Sequence, residues 1–219
     1  MVMFLVILLV ILWLLGHAEA AERESELAVE MGQPLAPSTQ SVALFFAGFV
    51  RQMCGDVERT RDYAERCSAV ATEHGLSFWM AGSDVLRGWA MAMAEDAENG
   101  VELIMRGMNA WQATGSVTYR TYYLGLMAEA LARCGRVAES HDTLVEALAL
   151  SEQTGEHLWT PELHRRLGEI MLRDGGLSGE DVSAAEAELQ KGLQMARSQG
   201  AGSLEARVQD SLARLGQRA

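Results

Sequence analysis

His157 and His164 stand seven residues apart, which places both imidazoles on one face of a helix, and imidazole is a common metal ligand. A metal would still need a third ligand and partners to orient the rings, so a packing or surface role is expected and no metal site. The paired carboxylates Glu95-Asp96 and Glu180-Asp181 fall at turns, where capping a helix is the expected role and acid–base catalysis is not. No G-x-x-x-x-G-K-[ST] cradle exists for a nucleotide phosphate, and no G-x-S-x-G turn presents a nucleophile. Gly175 to Gly179 has no strand ahead of it and reads as a loop. Cys67 occupies a small-residue packing position. The sequence therefore points to a chain without catalytic residues or cofactors, and the question becomes what surface its elements present.

Composition narrows that surface. The chain has 219 residues, a formal charge of −12 and 49% hydrophobic residues, enough to bury a sizeable core. Lys191 is the single lysine, the rest of the 18 basic residues being arginine. The acidic balance excludes a nucleic-acid backbone as partner and argues against an anionic membrane surface, because no basic patch would neutralise phosphates. Cys54, Cys67 and Cys134 are odd in number and widely spaced, as expected of reduced thiols in a cytoplasmic protein.

Regular spacing then supplies the elements. Gly16, Gly55, Gly135 and Gly175 form one series with Glu95 in the missing place, and Gly75, Gly115, Gly155 and Gly200 form a second. Glycine suits the left-handed residue that closes a helix, so two interleaved series mark the ends of alternating helices at a period of about 40 residues. Pro34, Pro37 and Pro161 lie at or near helix starts, where a missing N–H costs least. Small residues recur inside the helices in the same register. Gly48, Gly88, Ala128 and Gly168 share one position of the first helix in each unit. Ala21, Thr60, Gly100, Ser140 and Ala185 share one of the second, and Ala28, Cys67, Gly107, Ala147 and Gly192 another. Such positions let antiparallel helices approach closely. An aromatic position recurs at Trp79, Tyr119 and Trp159. Acidic residues such as Glu58, Asp62, Glu65, Glu139, Asp142 and Glu146 fall on second helices and are expected to face outward.

Met1 to Leu15 is unbroken apolar sequence. It is short for a membrane span of about 20 residues, and it lacks the positive start of a secretory signal, although Ala18-Glu19-Ala20 resembles a cleavage site. Gly16 and Ala21 keep the repeat register, which makes the segment the buried first helix of a repeat. A targeting segment on a secreted or membrane-anchored protein is the alternative. Ser203 to Leu215 reads as a first helix without its partner, so the chain is expected to be a piece of a longer array.

Trp13-Leu14-Leu15-Gly16, followed by Ala20 or Ala21, resembles the tetratricopeptide (TPR) pattern. Several runs resemble the helical tail of large bacterial regulators that carry a class III adenylate or guanylate cyclase domain, or a transcriptional-regulator domain, and an AAA-type ATPase. These are Leu86-Arg87-Gly88-Trp89-Ala90, Tyr123-Leu124-Gly125-Leu126-Met127-Ala128-Glu129-Ala130, Glu162-Leu163-His164-Arg165-Arg166-Leu167-Gly168-Glu169 and Gln199-Gly200-Ala201-Gly202-Ser203-Leu204-Glu205. The cyclase and ATPase modules are absent from these residues, so their activities do not transfer. The resemblance implies an all-α, right-handed solenoid of antiparallel helical hairpins, about 11 helices in all. The repeats span residues 1–36, 37–75, 76–115, 116–155 and 156–200, with a partial one at 201–219. It also implies a concave face lined by first helices. One position there holds Phe49, Trp89, Glu129 and Glu169, and a neighbouring one holds Met53, Met93, Arg133 and Arg173. The expected function is a protein- or peptide-binding and signal-relay scaffold, apolar at one end of its groove and of mixed charge at the other.

Overall fold

The computed structural model describes residues 1–94, 96–174 and 179–217, with the side chain of Asp174 excluded. The described residues form eleven α-helices and no strand. They are α1 (Val2–Leu14), α2 (Ala18–Gly32), α3 (Pro37–Met53), α4 (Val57–Glu73), α5 (Ser77–Ala94), α6 (Ala97–Ala113), α7 (Arg120–Arg133), α8 (Val137–Thr154), α9 (Thr160–Asp174), α10 (Gly179–Gln199) and α11 (Gly202–Gly216). Seven of the punctuating glycines, Gly16, Gly55, Gly75, Gly115, Gly135, Gly155 and Gly200, have φ between 65° and 97°, the left-handed region that terminates a helix. Gly175 and Glu95, the remaining members of the first series, lie outside the described residues. Asp56 and Asp96 cap α4 and α6, accepting from the N–H groups of Arg59 and Asn99, so Asp96 has the capping role expected of it. Pro37 opens α3.

The chain divides into two compact units, Met1–Thr118 and Tyr119–Ala219. In the first, α1 packs on α2, α3 on α4 and α5 on α6, and the hairpins contact one another through α2–α3, α4–α5 and α3–α5. The second repeats this with α7–α8 and α9–α10, joined through α8–α9 and α7–α9, and α11 lies against α9 and α10. Close approach requires the small residues. A Cβ on Gly107 would lie 2.9 Å from the Ala81 carbonyl oxygen, and one on Gly168 would lie 2.9 Å from that of Ala185. Each of the recurring small positions is buried. The acidic residues named on α4 and α8 are all exposed.

Aromatic residues fill the first unit. Phe45 stacks on Trp111 at 6.4 Å and meets Trp79 at 5.4 Å. Between α2 and α3, the buried Arg51 guanidinium reaches Glu22 and Glu26, each at 2.7 Å. One departure from expectation concerns α1. Val2, Val6, Leu9 and Trp13 are buried, but Met3, Phe4, Ile7, Leu8, Ile11 and Leu15 are exposed, so the helix is half-buried and not enclosed. A uniformly apolar helix has no polar side to turn outward, and the packing of α2 and α3 covers only one of its faces.

Candidate functional site

The groove positions separate by chemistry. Phe49, Met53 and Trp89 are 0%, 2% and 3% exposed, and they pack inside the first unit, unavailable to a partner at its surface. Met93 is partly exposed. In the second unit the same positions carry charges, and there they reach solvent: Glu129 and Glu169 are partly exposed, Arg133 and Arg173 more openly placed at the ends of their helices. An ionised group resists full burial, whereas a large apolar ring gains from it.

Glu129 and Glu169 belong to a ladder of ion pairs running across α7, α9 and α11. Glu162 sits at its centre, 8% exposed. Arg165, one helical turn further along α9, grips it with two hydrogen bonds, Nη2 to Oε1 at 2.7 Å and Nε to Oε2 at 2.8 Å. Arg166 Nε donates to the same carboxylate at 3.0 Å and Arg207 Nη1 from α11 at 3.2 Å. Arg166 Nη1 then reaches Glu129 of α7 at 2.6 Å. On the other side Arg165 Nη1 lies 2.8 Å from Glu169, which also accepts from Ser211 Oγ at 2.7 Å and Arg214 Nη2 at 2.8 Å. Burial opposes the charge on Glu162, but Arg165, Arg166 and Arg207 outweigh it and hold the carboxyl well below the usual carboxylate range. Glu169 is also lowered: burial opposes its charge, and Arg165, Ser211 and Arg214 offset that cost.

The ladder ends in a recess of about 290 Å³ lined by Glu169, Leu172, Arg173, Leu189, Ser211, Arg214 and Leu215. Its lining sets the aliphatic Leu172, Leu189 and Leu215 beside Arg173, Arg214, Ser211 and the Glu169 carboxylate. Arg173 has no ion-pair partner among the described side chains, and Arg214 is shared with Glu169. A recess of the same volume in the first unit, between Val29, Gln40, Leu44 and Val70, has one charged residue, Arg66, already paired with Asp62 at 3.1 Å.

Sequence reading missed Arg165, Arg166, Arg207 and Arg214 as site residues, although the first two lie in a run that carried the family resemblance. The signal for Arg214 was present: the 45-residue step from Gly155 to Gly200, applied to Glu169, leads to it. No group of three or more metal-ligating side chains occurs among the described residues. His157 lies in the connection ahead of α9, so the two histidines do not share a helical face as the spacing predicts: His164 hydrogen-bonds Glu188 at 2.7 Å, and His157 hydrogen-bonds Ser151 at 3.1 Å. None of the described helices is long and apolar enough to cross a membrane.

Comparisons with known proteins agree on the architecture. No family model matches the chain. An uncharacterized protein of Rhizobium meliloti (strain 1021) is 26% identical over 213 residues, covering 94% of this chain and 20% of that protein. The chain thus spans about a fifth of the length of the relative it matches. Among solved structures, a thermophilic TPR protein of Thermus thermophilus superposes with a TM-score of 0.62 at 21% identity, covering 97% of this chain and 100% of that one. The apo form of RapI gives 0.61 at 8% identity, covering 100% and 85%. The fold is that of the TPR-like helical-hairpin proteins.

Proposed function

We propose that the chain is a non-catalytic protein-interaction scaffold, a TPR-like segment of a larger bacterial regulator of the cyclase–ATPase or transcriptional type. Its second unit binds an acidic peptide segment of a partner or of another domain of the same regulator. The resemblance of its sequence runs, and a relative about five times its length, support the wider context. The observation that carries the binding role is that Arg173 and Arg214 line one recess with Leu172, Leu189 and Leu215 at the end of the ladder. In a chain of charge −12, four ladder arginines stand against three glutamates, and Arg173 adds a further positive charge at the recess. A carboxylate flanked by an aliphatic side chain fits both features, the carboxylate at Arg173 and Arg214 and the aliphatic group on Leu172, Leu189 and Leu215.

A fluorescein-labelled peptide library alternating Asp or Glu with Leu, titrated by anisotropy, tests the role. Acidic members are expected to bind, their amidated Asn/Gln counterparts to bind at least about tenfold more weakly, and Arg173→Glu to abolish the difference. Equal binding of acidic and amidated peptides, or no effect of Arg173→Glu, overturns it.

A further inference from the structure

Helix α1 contains no charged residue, and one of its faces is uncovered. The repeat register shows what that face is. Residues of α1 correspond to those of α3 at a step of 39, from Gly16 to Gly55, and to those of α5 after a further 40, from Gly55 to Glu95. The buried residues Val2, Val6, Leu9 and Trp13 then align with Ser41, Phe45, Gly48 and Gln52, and with Ala81, Val85, Gly88 and Ala92, all buried. In α5 this is the face turned to its own hairpin partner, since Gly88 abuts Gly100 and Ala81 abuts Gly107 of α6.

The exposed face aligns differently. Phe4, 81% exposed, corresponds to Ala43 and Ser83, which are 1% and 0% exposed. Ile11, 46% exposed, corresponds to Val50 and Ala90, both at 0%. Met3 corresponds to Val42 and Gly82, both buried. In α3 and α5 these positions are covered by the hairpin before. A Cβ on Gly32 of α2 would lie 3.1 Å from Ala43, and one on Gly48 of α3 would lie 3.4 Å from Leu86, the α5 counterpart of Ile7. The second unit repeats the device, with Leu163 of α9 seated 3.2 Å from the position of a Cβ on Gly125 of α7.

We infer that the Met3–Phe4–Ile7–Ile11 face of α1 is a docking surface for another helical hairpin of this repeat type, carried ahead of α1 in a longer polypeptide. The occupant has an uncharged face with small residues, because α1 offers Phe4 and Leu8 where α3 offers Ala43 and Ala47. This rests on the reading of the chain as a segment of a larger protein and is independent of the arginine-lined recess.

The test places residues Pro37–Trp79, carrying Phe45→Ala in that added copy, directly before Met1, because Trp79 precedes Met80, the α5 counterpart of Met1, and because Phe45 of this hairpin fills the room beside Gly82, where α1 has the larger Met3. In this fusion, hydrogen exchange of the α1 amides is expected to slow by about tenfold or more relative to the 219-residue chain. Phe4→Glu with Ile11→Glu is expected to remove that protection, and to leave the unfused chain folded, because both side chains are exposed there. Unchanged exchange in the fusion overturns the inference. So does a discrete dimer of the unfused chain that the same two substitutions dissolve, or insertion of α1 into phosphatidylcholine vesicles. The intact mass of the protein in its source cells separates the two readings. A mass near 23.9 kDa would overturn the occupant in a longer polypeptide and the larger-regulator context together, whatever the fusion shows. Loss of acidic-peptide binding would leave the inference standing.

Discussion

Gly88 and Gly100 meet backbone to backbone: a Cβ on Gly88 would lie 2.8 Å from the Gly100 carbonyl oxygen, and one on Gly100 would lie 2.6 Å from that of Gly88. Neither obstacle is a side-chain tip that can swing aside, so an added methyl must part α5 from α6. Gly88→Ala and Gly100→Ala are each expected to destabilise the chain by about 1–3 kcal/mol in urea unfolding. Gly48→Ala, whose nearest neighbours would stand 3.4 Å away, is the control and is expected to cost less. Equal losses at all three positions would show that the register does not set the hairpin contact.

The buried carboxylate of the ladder makes stability depend on acid. Glu162 and Glu169 titrate lower in the folded chain than in the unfolded one. Their stabilisation is therefore fully present above the unfolded value of about 4.3 and is lost as the pH falls through their folded values. Thermal unfolding between pH 7 and pH 2 is expected to show a falling acid limb for the second unit. Glu162→Gln is expected to lower stability at neutral pH and to flatten that limb. A parallel limb in the variant would remove Glu162 as its source.

Tyr119 carries the only positive φ outside glycine among the described residues, 60°, at the start of α7. Glu156 secures that turn, accepting from the Tyr119 N–H at 3.0 Å and from Thr121 Oγ1 at 2.7 Å. Glu156→Ala is expected to cost about 1–2 kcal/mol, the range for losing a capping carboxylate. Hydrogen exchange should locate the loss in the first turn of α7. Tyr119→Gly in that background is expected to recover part of it by relieving the left-handed strain.

The fold was legible where the physics demands the absence of a side chain. A helix-closing left-handed residue and a close helix contact both exclude a Cβ, so Gly155 and Gly88 appear in the sequence as glycine and their register can be counted. The ladder was not legible in the same way. The 45-residue step leads from Glu169 to Arg214, but a shared register position does not say that the charges held there pair. Arg51 was hidden for another reason. Its counterparts in the repeat register are Leu12, Met91 and Leu131, so nothing periodic announces a buried cation there. The family resemblance also placed Phe49 and Trp89 in a groove, at positions they share with Glu129 and Glu169. One register position can be buried or exposed according to the residue it holds, and the rings went inward.

The three thiols are expected to differ in reactivity, which tests the packing of the second-helix register at one atom. Cys67 is fully buried between α3 and α4, with its Sγ 3.4 Å from the Ser41 carbonyl oxygen. Burial pushes its thiol up to about 12, so almost no thiolate exists at pH 8. Cys54 and Cys134 follow α3 and α7 as their C-terminal caps and are partly exposed. At pH 8 a disulfide reagent such as Ellman's is expected to modify two thiols quickly and the third only at the rate of unfolding. Cys67→Ala should remove the slow phase without touching the fast one. Fast modification of all three would mean that the α3–α4 hairpin opens locally, and that the small residue at this position does not seal it.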